Sequence, residues 1–281
     1  MIETLADGTV VAAYGPMMAA IRAVKNGTVS PDSAMIGVRA AFLMQEQLAR
    51  FSDVIRRNIE EVETDRRYPQ VVNLMIASAR QAADASVTPL IAVAGSVADL
   101  VADAIFADEA VTLVTVNNGG DIAVRMRAAA AVTIGIRPNA GSDGMSHRMK
   151  LDAACHIGGV ATSGFGGRSF TLGIASAAVA AAASASLADV AATLIGNAVD
   201  TEGAPVVRRP ARELDADTDI PDLLVTTRVG ALSDRQVEAA LANGIGKARR
   251  LQDRGLIAGA LVALRGRTSV SESLAGLVEA T

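Results

Sequence analysis

The chain has very few of the residues that build redox or zinc centres. Cys155 is the only cysteine, and His147 and His156 are the only histidines among 281 residues. A disulfide within the chain is therefore impossible, and a zinc site made of thiolates and imidazoles is nearly excluded for want of ligands. The chemistry of this protein has to be sought in other residue types.

Aromatic residues are also scarce. They make up 2% of the chain, and tryptophan is absent. Since hydrophobic residues make up 51%, the core has to be built from Ala, Val, Leu, Ile and Met. Bases would find few exposed rings to stack on, and the net charge of −4 gives no basic surface for a phosphate backbone. We expect no nucleic-acid partner.

The sequence shows no export signal and no strong membrane segment. Met1 to Asp7 carries acids and lacks a basic start followed by an apolar block. Phe170 to Ala188 contains no charged residue and is long enough to span a bilayer. It consists mainly of small residues, which gain little from lipid, so we expect tightly packed interior. These features predict a cytoplasmic protein without a membrane partner.

A short strand pair is predicted over Thr9 to Ala13 and Met17 to Val24, and helix signals follow it. Ser30-Pro31 is typical of a helix start, and apolar residues then recur at helical spacing to about Glu63. The apolar run Leu90 to Ala94 is predicted to be a buried strand. Ser96 and Asp99 after it fit a capping box at the start of another helix.

From Val111 the apolar period changes to two, which predicts neighbouring, mainly antiparallel strands. Helices grouped apart from strand clusters favour an α+β fold. Ser233 to Arg254 is predicted to be a helix broken near Gly244-Ile245-Gly246. We expect a single domain over residues 1–267, with two intimate lobes as the alternative, and a C-terminal tail over 268–281.

The first candidate site is the stretch from Val116 to Ile122. Asn117, Asn118, Gly119 and Gly120 tolerate positive φ, so the backbone can turn sharply and expose its N–H groups. Asp121 stands where the turn ends. Such a loop can receive an anion on its amides or hold a cation on its carboxylate. The alternative is a plain hairpin turn.

The second candidate site is the glycine-rich run from Thr162-Ser163-Gly164 to Arg168. Three glycines in four positions, flanked by hydroxyls and an arginine, can cradle a phosphate or carboxylate. No Gly-Lys-Ser/Thr follows, so this is not a Walker loop. The alternative is a glycine-rich β-turn with a surface arginine.

The third candidate site lies at a predicted helix start. Asp189, Thr193 and Asn197 are spaced by four, so they share one helix face. A carboxylate and a hydroxyl one turn apart can bind a hard divalent cation through oxygen. The alternative is that Ser186 and Asp189 form a capping box.

Six motifs in this order resemble the ApbE-like superfamily, which includes the FAD:protein FMN transferases. The match is collinear over roughly residues 4 to 266, and it is closer to a branch of unknown function. The motifs are Ala6-Asp7-Gly8, Thr88-Pro89 to Ala98-Asp99, Val116 to Ala123, Gly159 to Ser169, Ala188 to Thr193 and Gly255-Leu256-Ile257.

The resemblance implies a layered α+β fold with a ligand cleft between sheet and helices. In the transferase relatives, the aspartate and threonine of the helix-start motif help to coordinate a magnesium or calcium ion beside the FAD pyrophosphate. This implies Asp189 and Thr193 as metal ligands here. Both glycine turns lie near the same cleft in the relatives, which implies that Gly119, Gly120, Asp121, Thr162, Ser163 and Gly164 contact the ligand.

The chain also departs from the transferases. Their histidine- and proline-bearing hairpin is missing between Arg168 and Ser186, and Ser176 replaces an aspartate frequent in the branch. We expect transferase-like chemistry on a phosphorylated or acidic cofactor-type small molecule, such as FAD or FMN, with Mg²⁺ or Ca²⁺. The alternatives are a non-catalytic ligand-binding or scaffold protein, and an enzyme of one-carbon carrier biosynthesis. The Ala/Ser-rich segment from Ser176 would allow close subunit contact in a homo-oligomer.

Overall fold

The computed structural model describes residues 1–137 and 144–281. The strands in these residues are β1 Ile2–Thr4, β2 Val10–Tyr14, β3 Met17–Lys25, β4 Thr28–Val29, β5 Val111–Asn118, β6 Asp121–Met126, β7 Ala131–Ile136, β8 His147–Asp152, β9 Gly159–Ser163, β10 Ala177–Ala182, β11 Val206–Pro210, β12 Leu224–Val229, β13 Gly259–Leu264, β14 Arg267–Val270 and β15 Val278–Ala280. The α-helices are α1 Pro31–Arg50, α2 Ser52–Ile55, α3 Gln70–Arg80, α4 Val93–Phe106, α5 Ala185–Ala198 and α6 Asp234–Asp253. Short 3-10 helices lie at Ile59–Glu61, Pro89–Ala92, Ala153–Cys155, Ala211–Glu213 and Glu272–Leu274.

The chain forms two compact units. Unit 1 comprises Met1–Val132, Leu151–Ala161 and Ala182–Val190, and unit 2 comprises Thr133–Lys150, Thr162–Ala181 and Ala191–Thr281. Antiparallel strand pairs occur with helices in both units. The prediction of an α+β fold with mainly antiparallel strands is confirmed.

The sheet of unit 1 is built from hairpins. Strands β1, β2, β3, β5 and β6 pair antiparallel in that order, β4 pairs with the end of β3, and β9 lies beside β6. Alternate residues of β3 are buried, namely Met17, Ala19, Ile21 and Ala23. This alternation places one face of the strand in the core, as a period of two requires.

Helix α1 begins as predicted but ends early. Ser30 accepts a hydrogen bond from the backbone N–H of Ser33 at 3.2 Å, and Pro31 is the first helical residue. The prediction that the helix continues to about Glu63 is wrong, since α1 stops at Arg50. Further along, the Asn58 side chain accepts from Glu60 N and donates to Ala85 O. Such side-chain bonds to backbone compete with a continuous helix.

The prediction of a strand from Leu90 to Ala94 is wrong. Pro89–Ala92 is a 3-10 helix that runs directly into α4. Thr88 accepts a hydrogen bond from Leu90 N, so a helix-start signal precedes the apolar run. The predicted capping box of Ser96 and Asp99 is also wrong, because α4 has already begun at Val93.

Helix α4 belongs to the core of unit 1. The helical stretch Pro89–Phe106 is long and apolar enough to cross a membrane, but 61% of it is buried inside the protein. Core helices commonly have this all-round apolar character. Its two acidic residues, Asp99 and Asp103, form ion pairs with Arg125 of β6.

Unit 2 contains the densely packed segment predicted from small residues. Every residue of β10 is buried, and Ala177–Ala181 pairs antiparallel with Gly259–Ala263 of β13. Strand β14 pairs with β13, and β15 pairs with β8. The expectation of a tightly packed interior in this uncharged region is confirmed.

Helix α6 is continuous, so the predicted break near Gly244-Ile245-Gly246 is wrong. The reason is packing. A Cβ on Gly244 would lie 2.6 Å from a methyl group of Val199 and 3.3 Å from one of Val262. Glycine at this position lets the helix lie close to its neighbours, and no interruption of the hydrogen bonding is needed.

Candidate functional site

The Asn-Gly stretch forms a tight hairpin between β5 and β6. Asn118 pairs with Asp121, so Gly119 and Gly120 are the two turn residues, with φ of 71° and 115°. The Asn117 side chain accepts from Gly120 N at 2.9 Å. The hairpin alternative is therefore confirmed as the local structure, and one of the predicted anion-binding amides is already used within the turn.

The second asparagine fixes this turn to α4. Asn118 is buried, and its side-chain amide donates to Ala94 O at 3.2 Å. Ala94 is the second residue of α4. The hairpin tip, and with it Asp121, is thereby held beside the N-terminus of that helix.

Asp189 binds the same helix end. Its Oδ2 accepts from Gly95 N at 2.9 Å, across 94 residues of sequence. The alternative of a Ser186–Asp189 capping box is wrong, because Ser184 caps α5 by accepting from Leu187 N at 3.3 Å. Asp189 thus belongs to α5 but places its negative charge at the positive N-terminal end of α4, a favourable position for a carboxylate.

A second aspartate makes the reciprocal contact, from α4 to the start of α5. Asp99 belongs to α4, and its oxygens accept from Ala185 N at 3.0 Å and Ser186 N at 2.8 Å, the first two amides of α5. Arg125 donates to the same carboxylate at 3.0 Å. Each helix therefore carries an aspartate that caps the start of the other. Sequence reasoning missed both Asp99 and Arg125 as site residues, because no local spacing reports a contact between distant helices.

The Asp189 carboxylate lies in an unfavourable electrostatic environment. Asp189 is half-buried, and this burial is the main cause that raises its pKa well above the usual 3.8. The negative charge of Asp121 raises the pKa further and that of Asp99 adds to it, while the amides of Gly95 and Ala94 oppose the shift. Two predicted site residues, Asp121 and Asp189, are thus close enough for their charges to interact.

Two glycines allow the backbones to meet at this point. A Cβ on Gly95 would lie 2.2 Å from Ala185 O, and one on Gly159 would lie 2.1 Å from Ala185 N. Both distances are far inside van der Waals contact with backbone atoms, which cannot move aside. The first turn of α5 is therefore wedged between α4 and the start of β9.

The glycine-rich run of unit 2 also uses its own amides. Phe165 N donates to Ala175 O at 2.7 Å, and Gly167 N donates to Gly164 O at 3.1 Å. The turn alternative is confirmed as the local structure. Thr162 and Arg168 are exposed, while Ser163 is partly buried beside α5, with its Oγ 3.7 Å from the position of a Cβ on Gly196. These two amides are therefore used within the protein and are not offered to a ligand.

The residues predicted to share a face of α5 have separate roles. Thr193 lies one turn after Asp189 and is partly buried. The Asn197 side chain accepts from Leu172 N at 2.9 Å and from Thr171 Oγ1 at 3.3 Å. Asn197 therefore holds a neighbouring loop, whereas Asp189 and Thr193 keep the spacing expected of a metal-binding pair.

The donor set suits a hard cation that is shared with a ligand. Among residues 1–137 and 144–281, no group of three His, Cys, Asp or Glu side chains can hold a metal ion. Asp121 and Asp189 of unit 1 supply two carboxylates. Magnesium is commonly bound by one or two carboxylates, with waters and substrate phosphates completing its shell, so these residues fit such an ion.

Solved structures with the same fold are ApbE proteins. The ApbE protein of Thermotoga maritima superposes with a TM-score of 0.53 over 99% of this chain and 98% of its own, at 13% identity. The apo form of the Pseudomonas stutzeri flavinyl transferase ApbE gives 0.55 over the same shares, also at 13% identity. At this identity the likeness shows the fold, which is ApbE-like as predicted.

Sequence comparison identifies the family. The family model described as AbpE bacteria matches residues 7–270, and the chain belongs to this ApbE-related family. It is 36% identical over 129 residues to a UPF0280 protein of Methanopyrus kandleri, covering 46% of this chain and 49% of that protein. It is 34% identical over 158 residues to a UPF0280 protein of Methanococcoides burtonii, covering 56% and 63%. The chain thus spans less than two thirds of the length of these curated relatives.

Proposed function

We propose that this chain is a cytoplasmic transferase-like enzyme that binds a phosphorylated or acidic cofactor-type small molecule together with a divalent cation at Asp189. The observation that carries the proposal is the pair Asp121 and Asp189. Asp189 and the hairpin that carries Asp121 are both hydrogen-bonded to the start of α4, and burial and the Asp121 charge raise the pKa of Asp189. A divalent cation would offset this repulsion, and it would favour the ionised carboxylate.

The side chains have distinct tasks in this proposal. Asp189 and Thr193 hold the cation, and Gly95 N fixes the orientation of the Asp189 carboxylate through its hydrogen bond. A carboxylate has lone pairs for both partners. When bound, the cation neutralises phosphate charge and polarises a phosphoryl group. The glycine-rich turn of unit 2 carries Thr162, Ser163 and Arg168, and hydroxyl and guanidinium groups are of the kinds that bind phosphate or carboxylate.

Flavin nucleotides are the first ligands to test, because one structural neighbour is a flavinyl transferase. Titration calorimetry of FAD and FMN, with Mg²⁺ or with EDTA, would use the wild type and Asp189→Asn. We expect Mg²⁺-dependent binding that weakens at least about tenfold in the variant, equivalent to about 1.4 kcal/mol. Ser96→Ala is the control, since Ser96 lies on α4 and its hydroxyl has no hydrogen-bond partner among the described residues. Equal affinities in wild type and Asp189→Asn would contradict the assignment of the site.

A non-catalytic ligand-binding protein is the second candidate. It is favoured by the absence of any histidine or proline between Arg168 and Ser186, where the transferases carry their hairpin. In a transfer, an acceptor hydroxyl attacks the FMN phosphorus of FAD, the pyrophosphate bond breaks, and FMN becomes esterified to the acceptor while AMP and the hydroxyl proton leave. Formation of AMP from FAD in the presence of Mg²⁺ would therefore support the enzyme, whereas tight binding without AMP would support the binding protein.

A further inference from the structure

Asp99 is a buried residue whose carboxylate accepts hydrogen bonds from three donors. Its side chain is only 3% exposed. It accepts from two backbone amides of α5 and from the Arg125 guanidinium. A carboxylate removed from water needs such partners, because an unpaired buried charge is strongly destabilising.

Arg125 connects this carboxylate to three elements. Its Nε donates to Asp103 at 2.6 Å, one turn further along α4. Its other donors reach Gly158 O at 3.2 Å, immediately before β9, and Val124 O of its own strand at 3.1 Å. The guanidinium therefore fixes Asp99 relative to the sheet of unit 1, and through Asp99 it fixes the first turn of α5.

The position of that first turn decides where Asp189 lies. Asp189 follows Ala185 by one helical turn, and its carboxylate reaches Gly95 N. Asp121 repels it. Without an anchor at Ala185 and Ser186, this repulsion would favour displacement of α5 away from the hairpin tip.

We infer that Asp99 is a positioning residue for the cation site: by capping α5, with Arg125 as its counter-ion, it fixes Asp189 at the N-terminus of α4, where a divalent cation would offset the charges of Asp189 and Asp121. The inference rests on the proposed function and deepens it. Asp99 does not touch the cation in this arrangement. It acts only through the backbone of Ala185 and Ser186.

The chain offers matched variants to separate positioning from general stability. Asp99→Asn removes the charge and leaves only one side-chain acceptor for two amides. Asp103→Asn removes the other carboxylate bound by Arg125. The Asp103 side chain is 53% exposed and does not cap α5. Gly244→Ala in unit 2 lowers stability by crowding Val199 and leaves this region unchanged.

The experiment is titration of Mg²⁺ alone by calorimetry, well below the melting temperature of every variant. We expect Asp99→Asn to weaken Mg²⁺ binding by about tenfold or more, which is 1.4 kcal/mol or more. Asp103→Asn and Gly244→Ala should stay within about twofold of wild type, below about 0.5 kcal/mol. Wild-type affinity in Asp99→Asn, or an equal loss in Asp103→Asn, would overturn the inference.

Two further measurements keep the result decisive. If Asp99→Asn does not fold, Arg125→Lys replaces it, because a point charge substitutes poorly for the fork that fixes Asp99. That variant should bind Mg²⁺ several-fold more weakly, and unchanged affinity would overturn the inference.

Asp189→Asn distinguishes the two proposals. If Asp189→Asn loses Mg²⁺ binding and Asp99→Asn keeps it, only the positioning role of Asp99 is contradicted. If the wild type binds no Mg²⁺, the cation site and the positioning role are both contradicted.

Discussion

Asp189 is the residue on which the proposed site depends, and its environment is costly in the absence of a cation. Asp189 is half-buried, its burial and the charge of Asp121 raise the pKa of its carboxyl group, and the amides at the start of α4 oppose these effects. Asparagine at this position would keep the hydrogen bond to Gly95 and carry no charge. An aspartate is therefore better explained by ligand binding than by a contribution to the stability of the fold.

Asp189→Asn should therefore stabilise the metal-free protein at neutral pH. The folded-state pKa of Asp189 is raised, so the wild type loses stability as the pH rises from the usual 3.8 through the folded-state value. The variant avoids this loss, and the difference should vanish below about pH 3.8. Urea unfolding in EDTA at pH 3.5 and pH 7.5 measures both limits. A variant less stable than wild type at pH 7.5 would contradict the electrostatic account.

Excess Mg²⁺ should reverse the order. A cation that binds only the folded state raises its stability by mass action, and the variant has lost the carboxylate that holds it. We expect the melting temperature of the wild type to rise with Mg²⁺ concentration while that of Asp189→Asn stays constant. Parallel shifts of both proteins would indicate that Mg²⁺ binds at another site.

The sequence predicted Asp189 as a site residue, but it did not predict which backbone group its carboxylate contacts. Its spacing from Ser186 indicated a cap of its own helix, whereas the carboxylate caps α4 instead. Asp99 was assigned to its own helix for the same reason and caps α5. Local patterns describe neighbours within a few residues, and these bonds join residues 86 to 94 positions apart. The resemblance of ordered motifs was the only signal that brought Asp121 and Asp189 together.

At the scale of elements, two glycines of α6 make a direct test of packing. Gly244 faces Val199, where a Cβ would lie at 2.6 Å, while the nearest atom to a Cβ on Gly246 is a flexible guanidinium nitrogen at 3.7 Å. Gly244→Ala should destabilise the protein by about 1–3 kcal/mol through overpacking. Gly246→Ala should stabilise it by about 0.5–1 kcal/mol through helix propensity. Urea unfolding compares them, and equal effects would contradict the packing explanation for Gly244.

Elements with local signals were predicted well. The cap at Ser30 and the turn at Gly119-Gly120 depend on residues adjacent in sequence, and both are confirmed. The end of α1, the helical state of Leu90 to Ala94 and the continuity of α6 were predicted wrongly. The side-chain bond of Asn58 to the distant Ala85 O and the packing of Gly244 lie outside any periodic pattern, whereas Leu90 to Ala94 follow a local cap at Thr88 that the apolar run obscured.

At the scale of the whole molecule, the order of the motifs was more informative than any one of them. Each glycine turn alone is an ordinary turn, and the structure shows that several of their amides are used locally. Taken in order, the motifs predicted the ApbE-like fold and family, and both are confirmed. The ligand was not predictable to the same degree, because shared folds host different chemistries.

The most direct test of the central claim is a crystal structure of the wild-type protein soaked with Mn²⁺, with the metal located by its anomalous scattering. We predict one strong peak within about 2.5 Å of the Asp189 carboxylate, with Asp121 turned toward it and the hydrogen bond to Gly95 kept. A peak at another site, or none while Asp189 still contacts only the start of α4, would show that this carboxylate is a helix cap and nothing more.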